Sequence, residues 1–106
     1  MIKFKNEYNI IVAMKNKKIE LVRKKLDKLD LKMLDLIKKR SLLVNKILNE
    51  KKYKNQIIDN KRIKIILNKI NRESKKRNID PKITSTIWRA MIRSFINYEF
   101  RNFKKK

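Results

Sequence analysis

An arginine stands where a hydrophobic residue belongs. Apolar side chains recur from Ile19 through Val22, Leu26, Leu29, Met33 and Leu36, then at Leu43 and Ile47. These alternating steps of three and four are those of a helix that buries one stripe. The slot left in the series is position 40, and it holds Arg40. A guanidinium does not shed its proton, so burying one is costly unless an anion meets it. The bland alternative is an arginine whose stem lies on the stripe while its head reaches water. Apolar positions continue on both sides of Arg40, which favours the seam. Arg23 and Lys51 lie a few turns away, on an adjacent strip of the same helix. Each alone would pass for a surface residue. Three cations beside one seam suggest a pocket for a small molecule carrying more than one carboxylate.

Three more polar residues stand out. Asp59 and Arg62 open a second helical pattern, where Asp59 suits an N-cap and Arg62 an exposed position. In the last helical pattern the stripe Trp88, Met91 or Ile92, Phe95 steps next onto Glu99. A carboxyl on an apolar face can be held protonated and then donates a hydrogen bond. Against this, a fraying helix end would leave Glu99 solvated among its basic neighbours.

The 106 residues contain neither cysteine nor histidine, which removes disulfides, the usual zinc sites, thiol nucleophiles and histidine bases. No metal site or cofactor is expected. With no glycine and a single proline, there is no material for hairpin turns or phosphate-cradling loops. The formal charge of +22 invites a nucleic-acid reading. However, Lys, Ile and Asn fill 53 of the 106 positions, and lysines outnumber arginines 24 to 8 along the whole chain. That is the mark of codon bias and a solvated surface rather than a bidentate reading face. A basic helical nucleic-acid-binding protein is therefore a remote alternative; it requires an exposed Arg40 and affinity that survives salt. The apolar run Ile10 to Met14 is too short for an export signal or a membrane span, so a cytoplasmic location is expected.

These residues need elements to hold them. Residues 1–14 follow no clear period and read as an N-terminal extension; Met14 could itself be a start. Residues 15–106 read as the functional domain, all-α. One unbroken helical pattern runs over 15–53, roughly 58 Å of helix. A break near Tyr53, Lys54 and Asn55 precedes a second helix over 59–77, with Ile63, Ile66, Leu67 and Ile70 on its apolar face. Asp80-Pro81 is a strong start signal for a third helix, which carries Ile83, Ile87, Trp88, Met91, Ile92 and Phe95. The first helix is nearly twice as long as either of the others, so a second copy alongside would bury what they cannot. The expected architecture is an entwined homodimer of three-helix protomers with the long helices as its spine.

In order, Arg23, Leu29-Asp30, Arg40, Lys51, Asp59, Arg62, Asp80-Pro81 and Trp88 through Glu99 resemble the all-helical chorismate mutases over about residues 19–103. The segment LDKLDLKMLDLIKKR, ending at Arg40, is the most specific part. The same fold carries the related isochorismate-pyruvate lyases. The resemblance implies a Claisen rearrangement of chorismate to prephenate in phenylalanine and tyrosine synthesis, with no cofactor and no covalent intermediate. It also implies that Arg40, Lys51 and Arg62 line one site, which Arg23 reaches from the other protomer. The arginines would clamp the two substrate carboxylates, Lys51 would donate to the ether oxygen, and Asp59 would contact the ring hydroxyl. Glu99 stands where the mutases often have Gln, the residue that donates to that same oxygen. Two departures point toward the lyase branch: Ile63 stands where mutases have Glu, and Phe95 where they often have Ser. Asp59 is a mutase-like feature. The mutase leads, with salicylate-forming lyase activity as its alternative.

Overall fold

No glycine or proline interrupts the first fifty residues, so nothing breaks a helical hydrogen-bond ladder there. In the computed structural model, which describes residues 2–104 and side chains from residue 7 onward, this stretch is one helix, α1 (Ile2–Glu50, 49 residues). It starts well ahead of the expected position 15, because the preceding residues lack an apolar period but also lack a breaker. Met1 lies outside the described residues.

The helix ends at Glu50, a little before the expected 53, and the cause is local. The Gln56 side-chain oxygen accepts from the backbone N–H of Lys52 and of Tyr53, at 2.7 and 2.9 Å. Tyr53 is thereby drawn into an extended conformation ahead of a 3₁₀ turn, Lys54–Gln56. α2 (Asn60–Lys76) follows, capped by Asp59, whose carboxylate accepts from the Arg62 N–H at 2.9 Å. At the other end Asn78 takes the left-handed conformation (φ 56°). Ile79 N–H then donates to Ser74 C=O and Asn78 N–H to Lys75 C=O, a Schellman closure. α3 (Pro81–Asn102) starts as expected, with Asp80 as its cap and Pro81 in the first turn. Among the described residues the fold is all-α, three helices without a strand.

The chain divides into two compact units, Met1–Lys39 and Arg40–Lys106. In the first, every side chain from residue 7 to 39 is exposed, including the stripe Ile19, Val22, Leu26, Leu29, Met33 and Leu36. Arg23 pairs there with Glu20, one turn back, at 2.7 Å. Such an exposed pair adds little stability.

The second unit holds the end of α1, α2 and α3. Its helices are joined by side chains as well as by packing. Buried Ser74 and Thr84 meet across the α2–α3 turn at 2.7 Å. The Tyr98 hydroxyl donates to Asn45 Oδ1 at 2.8 Å, tying α3 to α1. The apolar face expected on α2 (Ile63, Ile66, Leu67, Ile70) is half-buried. On α3, Trp88, Met91, Ile92 and Phe95 are half-buried, whereas Ile83 and Ile87 are exposed. Near the end of α2 the Lys76 ammonium, helped by the Arg77 guanidinium 3.2 Å away, holds the Glu73 carboxyl below its usual range against a smaller opposing effect of burial. No described helix is long and apolar enough to cross a membrane.

Leu48 and Ile57 are the only buried hydrophobic residues among those described. Leu48 lies off the predicted stripe; Leu43 and Ile47, which lie on it, are exposed. In the first unit the stripe is likewise uncovered at Ile19, Val22, Leu26, Leu29, Met33 and Leu36.

Candidate functional site

Three helices present one face each to a cavity of about 400 Å³ in the second unit. α1 contributes Arg40, Val44 and Ile47, residues three or four apart that a helix aligns on one side, and Lys51 follows directly after its end. The connection and first turn of α2 contribute Gln56, Ile57, Asp59, Arg62 and Ile63. α3 supplies Ile92, Phe95, Ile96 and Glu99, again at helical spacing. Seven of the eight residues singled out in the sequence thus line one cavity: Arg40, Lys51, Asp59, Arg62, Ile63, Phe95 and Glu99. The eighth, Arg23, belongs to the first unit, exposed and paired with Glu20.

The polar groups are not equivalent. Glu99 is buried within α3, not solvated at a frayed end, and its Oε1 accepts from Lys51 Nζ at 2.9 Å. Both side chains are largely shielded, 17% exposed for Lys51 and 8% for Glu99. An ammonium has three N–H donors, so Lys51 keeps two for other acceptors. The residues expected as donors from the sequence therefore contact each other, with Lys51 donating and Glu99 accepting.

Arg40 is half-buried. Its Nε is buried without a hydrogen-bond partner, and its guanidinium carbon lies 5.6 Å from the centre of the Phe95 ring. Among the described residues no carboxylate reaches ion-pair distance of Arg40 or Arg62. Asp59, at the cavity edge, spends one oxygen on the cap of α2. The cavity thus holds two cations without a counter-ion, a third whose counter-ion leaves donors to spare, and apolar walls. That combination suits a compact molecule with carboxylates at one end and an acceptor oxygen near Lys51. Among the described residues no group of three or more His, Cys, Asp or Glu could hold a metal.

Four lining residues escaped sequence reasoning: Val44 and Ile96, apolar helix positions beside the stripes that were read, and Gln56 and Ile57. Gln56 lies in a break that its own side chain creates, and no helical period passes through it. Ile57, 3% exposed, anchors the same connection. The only signal was an apolar pair, Ile57-Ile58, inside an otherwise polar segment.

No curated protein and no solved structure matches the chain. A family model does, and its span runs from the residue before Arg23 to the residue after Glu99, enclosing every site residue above. Through that match, to chorismate mutase type II over residues 22–100, the chain belongs to the chorismate mutase type II family.

Proposed function

We propose that this protein is a chorismate mutase that rearranges chorismate to prephenate without a cofactor, in the cytoplasm, for aromatic amino-acid synthesis. The observation that carries the reading is the cavity in which Arg40 and Arg62 lack counter-ions while Lys51 is held by Glu99. Arg40 and Arg62 take the substrate carboxylates and fold the enolpyruvyl arm over the ring, bringing the two carbons to be joined into reach. As the ether C–O bond breaks and the new C–C bond forms, negative charge grows on the ether oxygen. Lys51 donates one of its remaining N–H groups to that oxygen, and Glu99 holds the ammonium in place or, when protonated, donates as well. Asp59 contacts the ring hydroxyl; Ile63 and Phe95 form the apolar walls. A millionfold acceleration requires about 8 kcal/mol of preferential transition-state binding. A few charge-assisted hydrogen bonds in a water-poor site are of that order.

The active form in this reading is a homodimer whose long helices pack along the exposed stripe of α1. Arg23 of the partner subunit then completes the carboxylate clamp. The support is energetic: the stripe is half or more exposed at Val22, Leu26, Leu29, Met33 and Leu36, while only two hydrophobic residues among those described are buried. Small soluble domains rarely leave such a face uncovered.

A second reading, an isochorismate-pyruvate lyase that forms salicylate and pyruvate, is favoured by one observation. Ile63 and Phe95 line the cavity where the mutase pattern has Glu and Ser. Replacing Ile63 by Glu separates the two. A mutase keeps or gains prephenate formation, since the carboxylate helps hold the ring hydroxyl. A lyase loses salicylate formation, and that result would transfer the protein to the second reading.

A further inference from the structure

A buried guanidinium is commonly oriented by a carboxylate, but a carboxylate in contact with Arg40 would neutralise the charge an anionic ligand needs. The structure holds Arg40 differently. Its guanidinium carbon lies 5.6 Å from the Phe95 ring centre, and its Nε is buried without any hydrogen-bond partner. The nearby carboxylates are engaged elsewhere, Glu99 with Lys51 and Asp59 with the backbone of Arg62. An aromatic face attracts a cation through its quadrupole yet carries no net charge. We infer that Phe95 is a positioning residue for Arg40: its ring fixes the guanidinium and shields Nε while leaving the full positive charge for a carboxylate.

The inference rests on reading the cavity as a dicarboxylate site, and it extends that reading. Phe95 becomes more than a wall that departs from the mutase pattern. It replaces an ionic brace by an uncharged one. Phe95 and Glu99 lie one turn apart on α3, so Arg40 of α1 and Lys51 just beyond its end are both held from α3, one by a ring and one by a carboxylate. A ring that orients a carboxylate clamp supports ground-state and transition-state binding alike, so its loss should act mainly on KM.

The test compares Phe95→Leu with Phe95→Tyr in the full-length protein, by two measurements. The first is the Arg40 Nε–Hε resonance in the free protein, which requires no substrate. In the parent it should be displaced by the ring current, in Phe95→Tyr remain displaced, and in Phe95→Leu move to the position of an ordinary arginine. The second is steady-state kinetics on chorismate. Phe95→Leu should raise KM by about 3- to 30-fold, the range expected of a cation–π contact, with kcat within about threefold. Phe95→Tyr, which keeps a ring against Arg40, should raise KM less than Phe95→Leu does. Should the leucine variant fold poorly, pentafluorophenylalanine at position 95 keeps the ring's bulk but reverses the charge of its face, and the same rise in KM is expected. An Arg40 resonance indifferent to Leu, or a KM unchanged by both Leu and the fluorinated ring, overturns the assignment. A parent protein without turnover would instead remove the mutase reading, while the resonance would still decide whether Phe95 holds Arg40.

Discussion

At the scale of single residues, the site is organised by how each charge is answered. Lys51 has a carboxylate partner and Arg40 has none, which in the proposed mutase reading divides their tasks between the breaking bond and the substrate carboxylates. The Lys51–Glu99 pair is largely buried, and removing one member of such a pair costs about 3–5 kcal/mol because the other charge is stranded. Glu99→Ala should therefore lower stability by that order and suppress turnover together. Glu99→Gln keeps an oxygen for Lys51 and adds an N–H donor, so turnover should stay within about tenfold of the parent. Thermal unfolding and prephenate formation on the two variants check this; equal losses in both would remove Glu99 from the charge-holding role. Arg40 was legible in the sequence because it interrupts an otherwise regular apolar series. Its Phe95 brace was not, since that contact joins α1 to α3 across 55 positions and leaves no local signal.

At the scale of elements, the connection between α1 and α2 carries Lys51 at one end and Asp59 at the other. Gln56 shapes it by accepting from Lys52 N–H and Tyr53 N–H. Gln56→Ala removes both bonds; a lost cap of this kind costs about 1 kcal/mol. A displaced Lys51 would lower kcat/KM by up to about 10²-fold. Gln56→Glu retains the acceptor oxygens and should preserve the fold, so stability comparable to the parent in Glu but not in Ala would mark the oxygen as the structural group. No difference between Ala and Glu in stability or rate would contradict the role. The break near Tyr53, the Asp59 cap and the Asp80-Pro81 start were readable because each is a local backbone preference. The extent of α1 was not: residues 2–14 show no apolar period, and their helix follows from the absence of a breaker. The Schellman turn at Asn78 also passed unseen, as an asparagine replaces the expected glycine.

At the scale of the whole molecule, the uncovered stripe of α1 underlies the proposed homodimer, in which Arg23 of the partner subunit completes the clamp. Arg23→Ala and Arg40→Ala should each be nearly inactive as homodimers, since two charge-assisted hydrogen bonds lost correspond to roughly 10²–10⁴ in rate. Mixed after exchange of protomers, half the dimers would be hybrids with one intact site of two, restoring about a quarter of parental activity. No recovery where exchange is demonstrated would argue for a site built from one chain. The all-α class and the order of helices were legible from periodicity and from the lack of glycine; the apolar stripe of α1 was legible too, and its cover by a second copy is the proposal that this mixing experiment tests.

Incubating the purified protein with chorismate and with isochorismate side by side, and resolving prephenate from salicylate plus pyruvate, decides between mutase and lyase. The mutase reading predicts prephenate from chorismate as the dominant product. Salicylate and pyruvate from isochorismate with no prephenate, or no product from folded protein across a range of pH, would contradict it.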